Sequence, residues 1–311
     1  MVTKIAIVVP CYNEEEVLSE TASRLLDLLK ELIRAGKISD SSFICFVDDG
    51  SADKTWSQIQ DLSKETQHIK GIKLSNNCGH QNALLAGLFS VDADAVISID
   101  ADLQDDINVI REMLDNYLQG DQIVYAARKQ RDSDSFFKRT TAQLFYGLMN
   151  FLGTKTIYNH ADYRLMSRRA IQALKEFREI NMFLRGVIPL IGFKHSIVYY
   201  DRSKRFAGES KYPLNKMLSF AWNGVTSFSV MPLRLISGLG FLSILASVGI
   251  GLWALYSKLF GEVVPGWASI IISIYFIGGV QLLCFGILGE YIGKLYQEVK
   301  DRPRYFIELE V

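Results

Sequence analysis

The sequence predicts an α/β protein: a mostly parallel sheet flanked by helices, followed by two membrane-spanning helices. Three observations carry this. Short β-branched runs alternate with longer amphipathic stretches before residue 212, the pattern of βαβ units. Polar clusters fall just after those runs, where ligands gather in open parallel sheets. Two long uncharged stretches stand near the end of the chain.

The elements follow in order. "KIAIVVP" reads as a buried strand, since it is too short for a signal-peptide core and is stopped by Pro10 and Glu14 to Glu16. No export signal is expected, which puts the large N-terminal part in the cytosol. "FICFVDD", "GIKLS", "AVISID" and "QIVYAA" read as four further strands, with helices beginning near Glu14, Asp53, His80 and Asp105. Among the clusters, "CYNEE" follows the first strand, "DDGSADKT" the second and "DADLQDD" the fourth, so three loops should converge on one crevice.

In the 311-residue chain, 34 basic residues balance 34 acidic ones, and no global field marks a nucleic-acid binder. Nearly all charge lies before Arg234 or after Gly289. Between them run Leu235–Ser257 and Trp267–Gly289, each without a charge and each long enough to cross a bilayer as a helix. Lys216 and Arg234 precede the pair, and Lys294, Lys300, Arg302 and Arg304 follow it. By the positive-inside rule both ends face the cytoplasm. The organisation expected is a large cytosolic domain over 1–212, an interfacial region over 213–232, a membrane hairpin over 233–292 and a cytosolic tail over 293–311. A second interfacial stretch is expected from Phe136, with packed core or oligomer contact as the alternative. Cys11, Cys45, Cys78 and Cys284 lack metal or disulfide spacing and suit a reducing compartment.

Neither GxGxxG nor GxxxxGK[ST] occurs, so a dinucleotide fingerprint and a P-loop are both absent. What remains is acidic. Asp100 and Asp102 flank one residue at a strand tip and so point to the same side. Such a pair can hold Mg2+ or Mn2+ while leaving positions for phosphate oxygens and water. Asp105 and Asp106 are expected to cap the next helix.

Taken together, "VVPCYNEEE", "FVDDGSADKT", "SIDADLQD", "ADYRLMSRRA" and "RFAGESKY", in this order and followed by two spans, resemble a family 2 glycosyltransferase of the GT-A, Rossmann-like fold. More narrowly they resemble polyprenyl-phosphate glycosyltransferases such as bactoprenol glucosyltransferase and dolichol-phosphate mannose synthase. The resemblance implies that Asp100, Asp102 and Gln104 hold the divalent cation. It places Pro10, Tyr12, Asn13, Glu14, Asp48, Asp49, Asp100 and Ala101 around the nucleotide, and Asp162 and Asp102 in catalysis. Arg128, Arg164, Arg205 and Lys211 are the cations proposed for phosphate, where guanidinium forks suit bidentate contacts. A lipid phosphate acceptor is already largely ionised, with a second pKa of about 6. Asp162 is therefore expected to orient the acceptor rather than to act as its base.

The expected reaction is transfer of one hexose, glucose from UDP-glucose, to polyprenyl (undecaprenyl) phosphate at the cytosolic membrane face, with inversion. Mannose or a modified pentose would need small pocket changes, and an inactive nucleotide-sugar-binding scaffold is the alternative from another class. A processive polysaccharide synthase is disfavoured by the two spans and by the missing Gln-x-x-Arg-Trp signature. Homo-oligomer formation is left open.

Overall fold

Strand β1 (Ile5–Cys11) is apolar throughout and all of it is buried, because both of its faces are covered. The computed structural model that shows this describes residues 2–129, 160–180, 182–201, 231–260 and 266–311. On one flank β1 pairs in parallel with β2 (Phe43–Asp48), which pairs in parallel with β3 (Ile69–Leu74). On the other flank it pairs in parallel with β4 (Ala95–Ser98). Beyond β4 the sheet turns mixed: β6 (His160–Ser167) runs antiparallel to both β4 and β5 (Ile123–Arg128), and β7 (His195–Tyr200) is parallel to β5. The order is β7-β5-β6-β4-β1-β2-β3-β8, with β8 formed by Ile307–Glu310. The predicted mostly parallel α/β sheet is thus observed, with its five expected strands.

Helix α1 (Leu18–Arg34) buries Leu18, Ala22, Leu25, Leu29 and Leu32, the stripe of one helical face, against the sheet. Each such leucine contributes roughly 1.5–3 kcal/mol by leaving water. Helices α2 (Thr55–Glu65), α3 (His80–Ser90) and α4 (Val109–Leu118) follow their strands as the alternation predicts, starting two to four residues after the expected onsets except for α3. Gly87 of α3 allows a close approach: a Cβ there would lie 2.4 Å from Val8 Cγ1 and 2.9 Å from Val47 Cγ2. Its absence lets α3 settle onto β1 and β2, and so fixes where the N-terminus of α3 stands.

Helices α5 (Arg168–Lys175) and α6 (Leu184–Val187) lie between β6 and β7 in the chain; those two strands were not expected, and neither was β8 (Ile307–Glu310). The expected C-terminal tail contains this strand, which runs antiparallel to β3 as the outermost member of the sheet. Lys73 pairs with Glu308 at 2.9 Å across it. The sheet and its helices, with residues 302–311, form one compact unit. The other holds α7 (Met231–Phe260) and α8 (Trp267–Val299), two helices long and apolar enough to cross a membrane. Their apolar windows, Leu233–Ile250 and Phe276–Val299, have mean hydropathy 1.8 and 1.5 and bury none of their length inside the protein. Helix α8 continues past the expected end at residue 292, through Lys294 and Glu298.

Candidate active site

Because β1, β2 and β4 are parallel, Cys11, Asp48 and Ser98 end at one edge of the sheet. Antiparallel β6 starts at that edge. Its register sets Arg164 opposite Ser98, and Ser98 Oγ donates to the Asp162 carbonyl at 2.6 Å. Asp162 therefore stands beside the acidic loop that follows β4.

The first two loops are latched to each other. Asn13, in the left-handed region at φ 53°, receives the Ala52 N–H on Oδ1 at 2.9 Å, while its own N–H donates to Ser51 Oγ at 2.9 Å. Glu14 N–H donates to Thr55 Oγ1 and Glu15 N–H to Asp53 Oδ2. Pro10 is buried in β1, and Tyr12 remains 48% exposed, a ring face open to a ligand. Asp49 takes the Cys78 and Gly79 N–H groups on its two oxygens, at 2.7 and 2.9 Å, and so ties the loop after β3 to the end of β2. Asp48 is fully buried. Its Oδ1 accepts from Ser51 N–H at 3.3 Å, while Oδ2 has no partner among the described residues. Burial pushes its pKa up. An orphaned buried acceptor costs roughly 1–3 kcal/mol, and an N–H of a bound base would relieve that cost.

The other half of the crevice is charged. His80, the first residue of α3, places Nε2 3.5 Å from Asp100 Oδ1 and 3.7 Å from Asp162 Oδ2. Arg164, fully buried, donates from Nη2 to Asp162 Oδ1 at 2.5 Å, and its Nε and Nη1 have no partner among the described residues. Arg185 donates from Nε to Oδ1 at 3.3 Å and from Nη2 to Oδ2 at 3.0 Å. Burial alone would raise the pKa of Asp162, but Arg185 and Arg164, helped by His80, hold it well below the usual carboxylate range. Asp100 is shifted the other way. Burial, against a partial offset from His80 and with repulsion from Asp162, Asp105 and Asp102, pushes it up to about 6.

Asp102 Oδ1 accepts the Gln104 N–H at 3.2 Å across a turn in which Leu103 adopts φ 55°. Ala101 is buried, and its carbonyl accepts from Thr21 Oγ1 of α1 at 2.8 Å. Among the described residues no group of three or more His, Cys, Asp or Glu side chains is arranged to hold a metal ion. The donor set nevertheless fits a hard dication that keeps water and phosphate in its shell. It offers two carboxylates one residue apart, with a local excess of negative charge.

One expectation needs correction. Asp105 is not a helix cap. It is buried, accepts from Tyr200 Oη at 2.5 Å and lies 3.5 Å from Arg128 Nη2, tying the acidic loop to the ends of β5 and β7. Asp106 does act at the turn into α4, where Oδ1 accepts from the Asn108 N–H and side-chain amide at 2.9 Å each. Arg128, expected on phosphate, contacts Asp105 and Tyr200. Arg205 and Lys211, and the two interfacial stretches apart from the last residues of 213–232, lie outside the described residues.

The sequence reading passed over His80, Gln81 and Arg185. The rule that flagged the other loops would have found the first two, since "NNCGHQN" is a polar, glycine-containing cluster at the carboxyl end of β3. Arg185 had a fainter signal, a lone charge in the apolar run "MFLRGVIPLIGF".

Residues 6–175 match the model of glycosyl transferase family 2, and the chain belongs to that family. It is a glycosyltransferase. It is 54% identical to the uncharacterized glycosyltransferase YkoT of Bacillus subtilis (strain 168), over 99% of this chain and 92% of that one. It is 39% identical to the bactoprenol glucosyl transferase of Shigella phage SfX, over 98% of this chain and 99% of that one. A prophage homolog of Escherichia coli (strain K12) is 38% identical over 98% of each. A solved glucosyl-3-phosphoglycerate synthase of Mycobacterium tuberculosis shares 19% identity over 72% of this chain and 76% of its own. Its TM-score to this chain is 0.45.

Proposed function

We propose that the chain moves one glucose from UDP-glucose to polyprenyl phosphate, with inversion, at the cytosolic face of a bacterial membrane. The observation that carries the reading is the meeting of Asp100, His80, Asp162 and Arg185 at one sheet edge in a chain that also carries two apolar helices. Near full-length similarity to bactoprenol glucosyl transferases supports the acceptor and the sugar.

In this reading Tyr12 and Asp48 receive the base, Tyr12 by its exposed face and Asp48 by its orphaned oxygen. Asp100, Asp102 and Gln104 would hold a divalent cation of the Mg2+ or Mn2+ type, which would neutralise charge on the departing diphosphate. A phosphate oxygen of the acceptor attacks the anomeric carbon. The bond from that carbon to the UDP oxygen breaks, and UDP leaves with the electron pair. Asp162 is a poor proton acceptor, because its two arginines stabilise the anion, and the acceptor phosphate is largely ionised already. It therefore orients the acceptor and its neighbouring cations. In this reading residues 1–212 and 293–311 lie in the cytosol, 233–292 in the bilayer and 213–232 at its surface.

The test is incubation of membranes containing the protein with labelled UDP-glucose, UDP-galactose or GDP-mannose and polyprenyl phosphate. Label is expected in the lipid from UDP-glucose and to depend on added Mg2+ or Mn2+. Label only from another donor would replace glucose, and no lipid product from any donor would overturn the reading.

A further inference from the structure

Asp162 is gripped from a part of the chain that none of the recognisable motifs contains. Arg185 presents two N–H groups to the two carboxylate oxygens, and such a fork fixes the plane of a carboxylate as well as its charge. The arginine stands on α6 (Leu184–Val187), a single turn too short to hold its own shape. Its start is held by Gln81, whose Oε1 accepts the Leu184 N–H at 3.1 Å across 103 residues of sequence. Gln81 directly follows His80, which faces Asp100 and Asp162. The first turn of α3 thus carries one side chain beside the two carboxylates and another that secures the helix of the arginine.

We propose that Arg185 and Gln81 are positioning residues for glycosyl transfer: Arg185 sets the plane of the Asp162 carboxylate, and Gln81 sets the helix from which Arg185 reaches it. The inference rests on the reading of Asp162 as the group that orients the acceptor. A simple counter-charge would work as well with lysine, whereas a plane-setting fork would not. A purely structural contact would alter stability without acting through Asp162.

The experiment is single-turnover transfer from saturating UDP-glucose to polyprenyl phosphate by the full-length protein. Arg185→Lys, Gln81→Leu and Gln81→Glu are compared alone and combined with Asp162→Asn. Arg185→Lys and Gln81→Leu should each lower the rate about 10- to 100-fold, the cost of a misplaced reacting group, with the donor KM nearly unchanged. Gln81→Glu keeps an acceptor oxygen for the Leu184 N–H and should recover most of the rate. In the Asp162→Asn background neither loss should recur, because residues acting through one group are not additive. Wild-type rates for Arg185→Lys, losses that multiply with Asp162→Asn, or effects confined to donor KM would overturn the proposal. If Arg185→Lys does not fold, the two Gln81 variants decide. If the wild type transfers nothing to the lipid, the substrate reading fails separately. A crystal structure of Gln81→Leu then decides: loss of the Arg185–Asp162 contact supports the proposal, and its retention sinks it.

Discussion

The two halves of the crevice are held by different forces. On the side of β1 and β2, nearly every contact pairs a side chain with a backbone N–H: Asn13 with Ala52, Glu15 with Lys54, Asp53 with Glu15, Asp49 with Cys78 and Gly79. Such contacts need no ligand to complete them. On the side of β4 and β6, ionised side chains face one another, with Asp100 and Asp162 on either side of His80 and two arginines on Asp162. Here each charge depends on the others, and a bound dication and diphosphate would redistribute them. In the proposed reading the first half is a preformed seat, whereas the second is a balance of charges that a substrate would complete.

The largest effect should follow from disturbing that balance at the acidic loop. Asp102→Asn keeps the shape and the acceptor for the Gln104 N–H, but removes one of the two anions one residue apart. Turnover is expected to fall on the order of a thousandfold, since a Lewis acid supplies several kcal/mol of transition-state stabilisation. The unfolding temperature should hardly move. Near-wild-type turnover with unchanged metal dependence would take Asp102 out of the site and leave the charged half without its cation.

A smaller loss, about a hundredfold, is expected for Asp162→Asn, and its pH profile sharpens the comparison further. The two arginines hold the folded-state pKa of Asp162 below its unfolded value. Its contribution to stability is therefore complete above the unfolded pKa of about 3.9 and is lost only as pH falls toward the lower folded value. Asp162 itself does not titrate between pH 6 and 8. The variant's deficit in single-turnover transfer should therefore not shrink as pH rises across that range. A deficit that vanishes as pH rises would make Asp162 a general base, because the acceptor dianion would then be replacing it.

The same contrast explains what the sequence disclosed. The latched half lies in loops that follow apolar strands, so β1, β2 and β4 and their polar ends were legible from alternation alone. The charged half depends on β6, where Asp162 and Arg164 sit buried in a strand whose charges disguise it from any apolar pattern. The partners of Asp105, Tyr200 and Arg128, come from other strands, so local capping chemistry was the only visible account of it. Strand β8 was hidden for another reason. It follows two apolar helices and all four of its residues are exposed, so neither position nor burial marks it as part of a sheet formed far earlier in the chain.

The smallest effect probes the preformed half at Asn13. Two terms can be separated there: the hydrogen bond from Ala52 to Oδ1, and the φ of 53° that a side chain other than asparagine tolerates poorly. Asn13→Gly removes the bond and keeps the conformation accessible, for a loss of about 0.5–1.5 kcal/mol. Asn13→Ala removes the same bond and adds roughly 1–2 kcal/mol for the left-handed backbone. The alanine variant should therefore unfold at a lower temperature than the glycine variant, and both below wild type. In transfer assays each should raise the donor KM, because the seat for the nucleotide has loosened, while the rate at saturating donor stays near wild type. Thermal unfolding of the full-length protein and a donor titration measure both. If Asn13→Gly instead lowered the saturated rate as Asp162→Asn does, the latched loops would be acting on the reacting groups and the division of the crevice into seat and charge balance would not hold.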